Sequence, residues 1–192
     1  VPNSQSRQRI NQTVTNYLPT SSVLYGAPEF RGSDRQMYVD AAYNETDQQL
    51  ISSVQSRYVL GYGDQYEILS SLSVADAPSL RQAGTAYPTW VTDRYLQLPD
   101  TTTPETIALA EELTAPYGNV FDQSIAIRDY LRRNISYNDQ IDRPPSDVDP
   151  VHHILFNSQE GYCTYYASSM VMLLRSQGIP SRFVSGYAQG EY

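Results

Sequence analysis

The sequence predicts an α+β protein in which a β-rich N-terminal unit precedes a helical one. Three observations predict it. Between Gln36 and Ala75 the apolar positions follow strand periods: Tyr66, Ile68, Leu72 and Val74 share one parity, and Arg57-Tyr58-Val59-Leu60 is short and β-prone. At Leu98-Pro99-Asp100 the style of the chain changes, and stretches with helical spacing and helix-start residues follow. Beyond them a helix opens at Cys163-Thr164-Tyr165-Tyr166-Ala167 and closes at Gly178 and Pro180. The predicted units are 1–98 and 99–192.

Residues 1 to 22 are rich in Ser, Gln, Asn and Thr, and read as an extended strand or a poorly ordered arm. Gly61-Tyr62-Gly63-Asp64 reads as the turn of a hairpin. Asp76-Ala77-Pro78-Ser79 starts a short helix that Gly84 ends. Thr102 and Glu105 have the spacing of a capping box, with Pro104 in the first turn and Ile107, Ala110 and Leu113 on one side. A second helix spans Phe121 to Arg133, with Ile127, Tyr130 and Leu131 as its buried stripe. The loop from Asn138 to Asp149 carries Asp139, Asp142, Asp147 and Pro144-Pro145. It ends on Asp149-Pro150, an N-cap followed by a first-turn proline, which opens a short helix through Phe156. In the last helix Cys163, Ala167, Met170, Val171 and Leu174 lie on one face, which predicts a buried cysteine. A strand over Arg182–Tyr187 follows.

Composition excludes some function classes. The net charge is −8 and no basic run is longer than Arg132-Arg133, so the chain lacks the footprint of a nucleic-acid binder. The longest apolar run, Met170–Leu174, is far too short to span a membrane. All 13 basic residues are arginine, and lysine is absent. One cysteine forms no internal disulfide.

That cysteine is the candidate nucleophile. At a helix N-terminus the dipole and the free N–H groups favour the thiolate. A thiolate also needs a base, ordinarily a histidine held by a third polar group. His152 and His153 are the only histidines, and both precede Cys163 on the neighbouring short helix, where packing or surface roles suit them better. The acidic loop lacks the glycine and ligand alternation of a calcium loop, so a solvated loop with an N-cap explains it. No cofactor or metal is expected.

Gly161-Tyr162-Cys163-Thr164-Tyr165-Tyr166-Ala167, then Leu174-Arg175, Gly178-Ile179-Pro180-Ser181-Arg182 and Ser185-Gly186-Tyr187-Ala188-Gln189-Gly190-Glu191, resembles the core of the transglutaminase-like superfamily. It looks most like the bacterial membrane-anchored branch described as cysteine proteases. Asp147-Val148-Asp149-Pro150-Val151, Tyr87-Pro88-Thr89-Trp90 and Arg94-Tyr95-Leu96-Gln97-Leu98-Pro99 extend the likeness upstream, over about half the chain. The resemblance implies a papain-like fold, of which 99–192 would be the helical front half. It also implies a Cys–His–Asp triad in that order, with Cys163 as nucleophile and the His and Asp after Tyr192. The expected activity is acyl transfer or hydrolysis on protein amides, as a protease, deamidase or cross-linker. The expected setting is the extracytoplasmic region of a membrane-anchored protein, with a protein or peptide as substrate. An alternative is a non-catalytic binding or scaffolding module at the cell surface. If the Arg182–Tyr187 strand is unpaired, its edge would invite self-association.

Overall fold

A computed structural model describes residues 6–43 and 49–186. The chain is α+β and divides into two compact units, Val1–Asp76 and Ala77–Tyr192.

The first unit contains β1 (Arg7–Thr15), β2 (Thr20–Val23), β3 (Phe30–Ser33), β4 (Met37–Tyr43), β5 (Gln49–Gly61) and β6 (Gln65–Ser73). They form two antiparallel three-stranded sheets, ordered β1-β6-β3 and β2-β5-β4. The Ser/Gln/Asn/Thr-rich start is therefore strand from Arg7 onward. Gly61–Asp64 is a tight turn, as expected: the Asp64 N–H donates to the Gly61 carbonyl at 3.3 Å, and the Gly61 N–H donates to the Asp64 carboxylate at 2.8 Å. It is not a hairpin turn, because β5 and β6 leave it for different sheets.

The corner is held by Asn16. Its side-chain amide donates to the carbonyls of Leu18 and Gly61 at 3.0 and 2.8 Å, and its backbone pairs with Asp64 and Gly63. One buried side chain thus joins the β1–β2 and β5–β6 crossings. Leu24, Val54, Leu60, Tyr66 and Ile68 form a core drawn from both sheets. Complete burial of a side chain such as Ile68 contributes about 1.5–3 kcal/mol. The predicted parity of β6 holds at Tyr66 and Ile68 and continues to Ser70, then breaks: Ser71 is buried as well, and Val74 is exposed. The serines can be buried because their polar groups are used. The Ser70 hydroxyl donates to the Ala27 carbonyl and the Ser71 N–H to that of Glu29.

The second unit contains α1 (Ala77–Arg81), α2 (Thr89–Tyr95), α3 (Pro104–Thr114), α4 (Val120–Asn134), β7 (Ser136–Tyr137), α5 (Pro150–His152), β8 (Glu160–Gly161) and α6 (Cys163–Ser176). A π-helical turn, His153–Ser158, continues α5. The short helix α1 is present as expected, but α2 occupies a stretch read as part of the β-rich unit. The contacts group both helices with the second unit, whereas the sequence reading placed the change at 98/99.

The cap of α3 is one residue later than the capping box suggested. Thr103, not Thr102, is the N-cap, and its hydroxyl accepts from the Thr106 N–H at 3.3 Å. The buried positions also differ in part from the expected side. Thr106, Ala110 and Thr114 are buried, and Ile107 is largely exposed. Thr114 tolerates burial because its hydroxyl donates to the Ala110 carbonyl at 2.8 Å. Helix α4 follows the expected stripe, with Ile127 and Leu131 buried and Tyr130 packed beside them. Asp149 caps α5 as predicted, accepting from the N–H groups of Val151 and His152 at 2.9 Å.

The expected Arg182–Tyr187 strand does not form over 182–186, where the backbone pairs in no ladder and Phe183 and Val184 are exposed. Tyr187 lies outside the described residues.

Candidate functional site

The mount of α6 is built just upstream of it. After the π-helical turn, Gln159 takes a left-handed conformation (φ 51°) and redirects the chain into β8. β8 pairs in parallel with β7, matching Tyr137 with Gly161. The Ser136 N–H donates to the Gln159 carbonyl at 2.8 Å, and the Asn138 N–H to the Gly161 carbonyl at 2.9 Å. Space is tight at Gly161: a Cβ there would stand 3.0 Å from Cβ of Tyr165. That atom is fixed to the α6 backbone and cannot swing away. Gly161→Ala is therefore expected to destabilise the second unit by about 1–2 kcal/mol. A thermal melt indistinguishable from wild type would contradict this packing.

Tyr162 is the N-cap of α6. Its extended backbone presents a carbonyl to the N–H groups of Tyr165 and Tyr166 at 2.8 and 3.2 Å, but its side chain caps nothing. Thr103, Asn119 and Asp149, by contrast, cap α3, α4 and α5 through their side chains. The head of α6 thus keeps its first N–H groups free of a side-chain acceptor. Cys163 is the first residue of the helix, and it is exposed. This corrects the expected burial. The buried positions of α6 are Ser169, Met172, Leu173 and Leu174; Cys163 shares a side of the helix with Leu174 but stands at the first turn, where that side is open to solvent.

Four tyrosines stand around this helix head. Tyr162 and Tyr165 meet edge to face, with ring centroids 4.9 Å apart. Tyr137 stacks on Tyr166 at 6.5 Å with 25° between the planes, and the Tyr166 hydroxyl donates to the Ile135 carbonyl. Burial raises the Tyr165 phenol above the usual range; Tyr162 adds to this and Arg143 opposes it. The other end of α6 is closed as predicted. Gly178 has φ +71°, and the Ile179 N–H donates to the Leu174 carbonyl at 3.0 Å. Arg175, in the last turn of α6, ties that end to two loops. It donates to the Ser181 carbonyl through Nε and Nη2 at 2.9 and 2.7 Å, and to the Gln97 carbonyl through Nη1 at 2.8 Å.

The structure does not bring the histidines to the thiol. Among the described residues no hydrogen bond joins Cys163 to either one. His152 Nδ1 lies 2.9 Å from the Thr103 hydroxyl, and the His152 ring packs on Phe156. Asp149 is consumed by its cap and by the Thr101 hydroxyl at 2.8 Å. Among the described residues no three His, Cys, Asp or Glu side chains are grouped to hold a metal. Sequence reasoning missed Tyr137, which reaches the site only through a two-residue strand pair and leaves no local signal. It also missed the Arg175 clamp, for which the adjacent Gly178-Ile179-Pro180 turn was the available hint.

Residues 107–192 match the model of the Transglutaminase-like superfamily. Over 102 residues the chain is 45% identical to Uncharacterized protein YebA of Bacillus subtilis (strain 168), covering 52% of this chain and 14% of that protein. Over 99 residues it is 36% identical to a Protein-glutamine gamma-glutamyltransferase of Pseudomonas aeruginosa, covering 51% and 14%. The chain thus matches only a small part of the length of these two relatives. Its fold is similar to the periplasmic domain of TgpA from Pseudomonas aeruginosa, with a TM-score of 0.62 at 23% identity, covering 97% of this chain and 58% of that one. The matched stretch includes Cys163 and the whole of α6.

Proposed function

We propose that Cys163 is the nucleophile of a thiol-dependent acyl transfer from protein glutamine to primary amines. The observation that carries this reading is the exposed thiol on the first residue of α6, at a helix head with no side-chain cap. A nucleophile must be reachable, and an uncapped helix start offers N–H groups to a developing oxyanion. The relative named as a protein-glutamine gamma-glutamyltransferase supports the choice of glutamine.

In the proposed reaction the Cys163 thiolate attacks the carbonyl carbon of a glutamine side chain. The C–N bond of the tetrahedral intermediate breaks, and the nitrogen leaves as ammonia with a proton from the base. The thioester is then attacked by a primary amine, which releases the thiolate and leaves a substituted amide. Water in place of the amine gives deamidation. The base and its orienting carboxylate are proposed to be a His and an Asp supplied by the longer protein, as the family resemblance implies. A chain without lysine offers no lysine ε-amine of its own to this chemistry.

The working site is proposed to lie outside the cytoplasm in a membrane-anchored protein. The periplasmic source of the similar fold supports this, and no helix among the described residues is long and apolar enough to cross a membrane.

The test supplies the full-length protein with a glutamine-containing protein and a fluorescent primary amine. Amine incorporation and ammonia release are expected together, and both should stop after alkylation of the thiol. Cleaved peptide bonds without incorporation would replace this reading with a protease. Neither product would leave the non-catalytic module.

A further inference from the structure

Exposed tyrosines are common on this chain, and Tyr137 is the one held beside the head of α6. It is 69% exposed. Its ring is nevertheless stacked on Tyr166, which is itself anchored by its hydroxyl to the Ile135 carbonyl. Its backbone is fixed by the β7–β8 pair, which sets Tyr137 opposite Gly161, two residues before Cys163. Asn138 reinforces the pair, donating from its backbone to Gly161 and from its side chain to Glu160 at 2.8 Å. An aromatic ring that is open to solvent yet already immobilised loses little entropy when a ligand covers it.

The location gives the ring a use. A polypeptide that delivers a side chain to the exposed Cys163 thiol must lay its neighbouring residues against the surface around the head of α6. Tyr137 is the open aromatic part of that surface, and the Tyr162–Tyr165 pair lies next to the thiol in the chain. We propose that Tyr137 forms a specificity subsite that binds an apolar side chain adjacent to the reactive glutamine. The reading rests on the proposed acyl transfer at Cys163. It adds the class of donor: glutamine flanked by an aliphatic or aromatic residue rather than a small polar one.

Two glutamine peptides that differ only in Leu or Ser beside the glutamine test it, with the full-length protein. For the Leu peptide, Tyr137→Ala is expected to raise KM about tenfold with kcat little changed, the scale of one well-placed apolar contact. The Ser peptide should be unaffected, and Tyr137→Phe should behave as wild type, since the ring and not the hydroxyl does the binding. Equal effects on both peptides, or none on either, would overturn the subsite. A second arm measures binding alone, by anisotropy of labelled peptides on Cys163→Ala protein. There the Leu peptide should bind more tightly than the Ser peptide, and adding Tyr137→Ala should erase the difference. Equal binding of the two peptides to Cys163→Ala protein overturns the subsite. Absent turnover with retained peptide preference would instead refute the acyl transfer and leave the subsite standing.

Discussion

Cys163→Ala is expected to lower amine incorporation by the full-length protein on the order of 10⁴-fold or more, because the covalent step has no substitute nucleophile. Stability should barely move. The residue is exposed, so removing its sulfur leaves no cavity, and a surface change of this kind falls within about 0.5 kcal/mol. That pairing of large catalytic and negligible structural effects separates a nucleophile from a packing residue, for which the two would be reversed. Cys163→Ser keeps the shape and a hydroxyl but loses the easily formed thiolate, and should be nearly as inactive. Initial rates and a thermal melt on the same preparations check both halves. Activity in Cys163→Ala within tenfold of wild type would dismiss Cys163 from the chemistry.

The second large effect is on stability. Leu173→Ala is expected to cost about 3 kcal/mol, within the usual 2–5 kcal/mol for a fully buried leucine. Leu173 has no solvent exposure and sits in the core formed with Ile127, Leu131, Ile154 and Leu155. The melting temperature of the second unit should fall by roughly 10 °C or more. Val184→Ala is the control: Val184 is 69% exposed, and its loss should leave the melt within about 0.5 kcal/mol of wild type. A melt of Leu173→Ala that overlays the control would mean that α6 is not seated as described.

What could be read from the sequence was what local chemistry decides. Asp149 before Pro150 names an N-cap, Gly178 before Pro180 names a helix end, and the Ile127–Leu131 spacing names a buried stripe. Each of these is settled within a few residues, and each is present. Partners distant in sequence were not legible. The Gly61–Asp64 turn looks the same whether its two strands pair with each other or part, and only the rest of the unit decides. α2 lacks a side-chain cap, so nothing announced it. Thr102 and Thr103 are equally good caps by type, and only the folded chain selects Thr103. The same limit affected Cys163. Helical spacing placed it on the apolar face, yet at the first turn that face has already left the core, so the thiol meets solvent.

The crossing strands of the first unit bear on how the protein is made. β1 is the first strand of its unit to leave the ribosome, and its pairing partner is β6, with Arg7 opposite Ser73 and Thr15 opposite Gln65. It must therefore wait, unpaired, until nearly the whole unit has been synthesised. The Asn16 corner cannot close before Gly61, Gly63 and Asp64 arrive. High contact order of this kind slows folding. An unpaired β1 edge meanwhile is a site for wrong pairing during biogenesis.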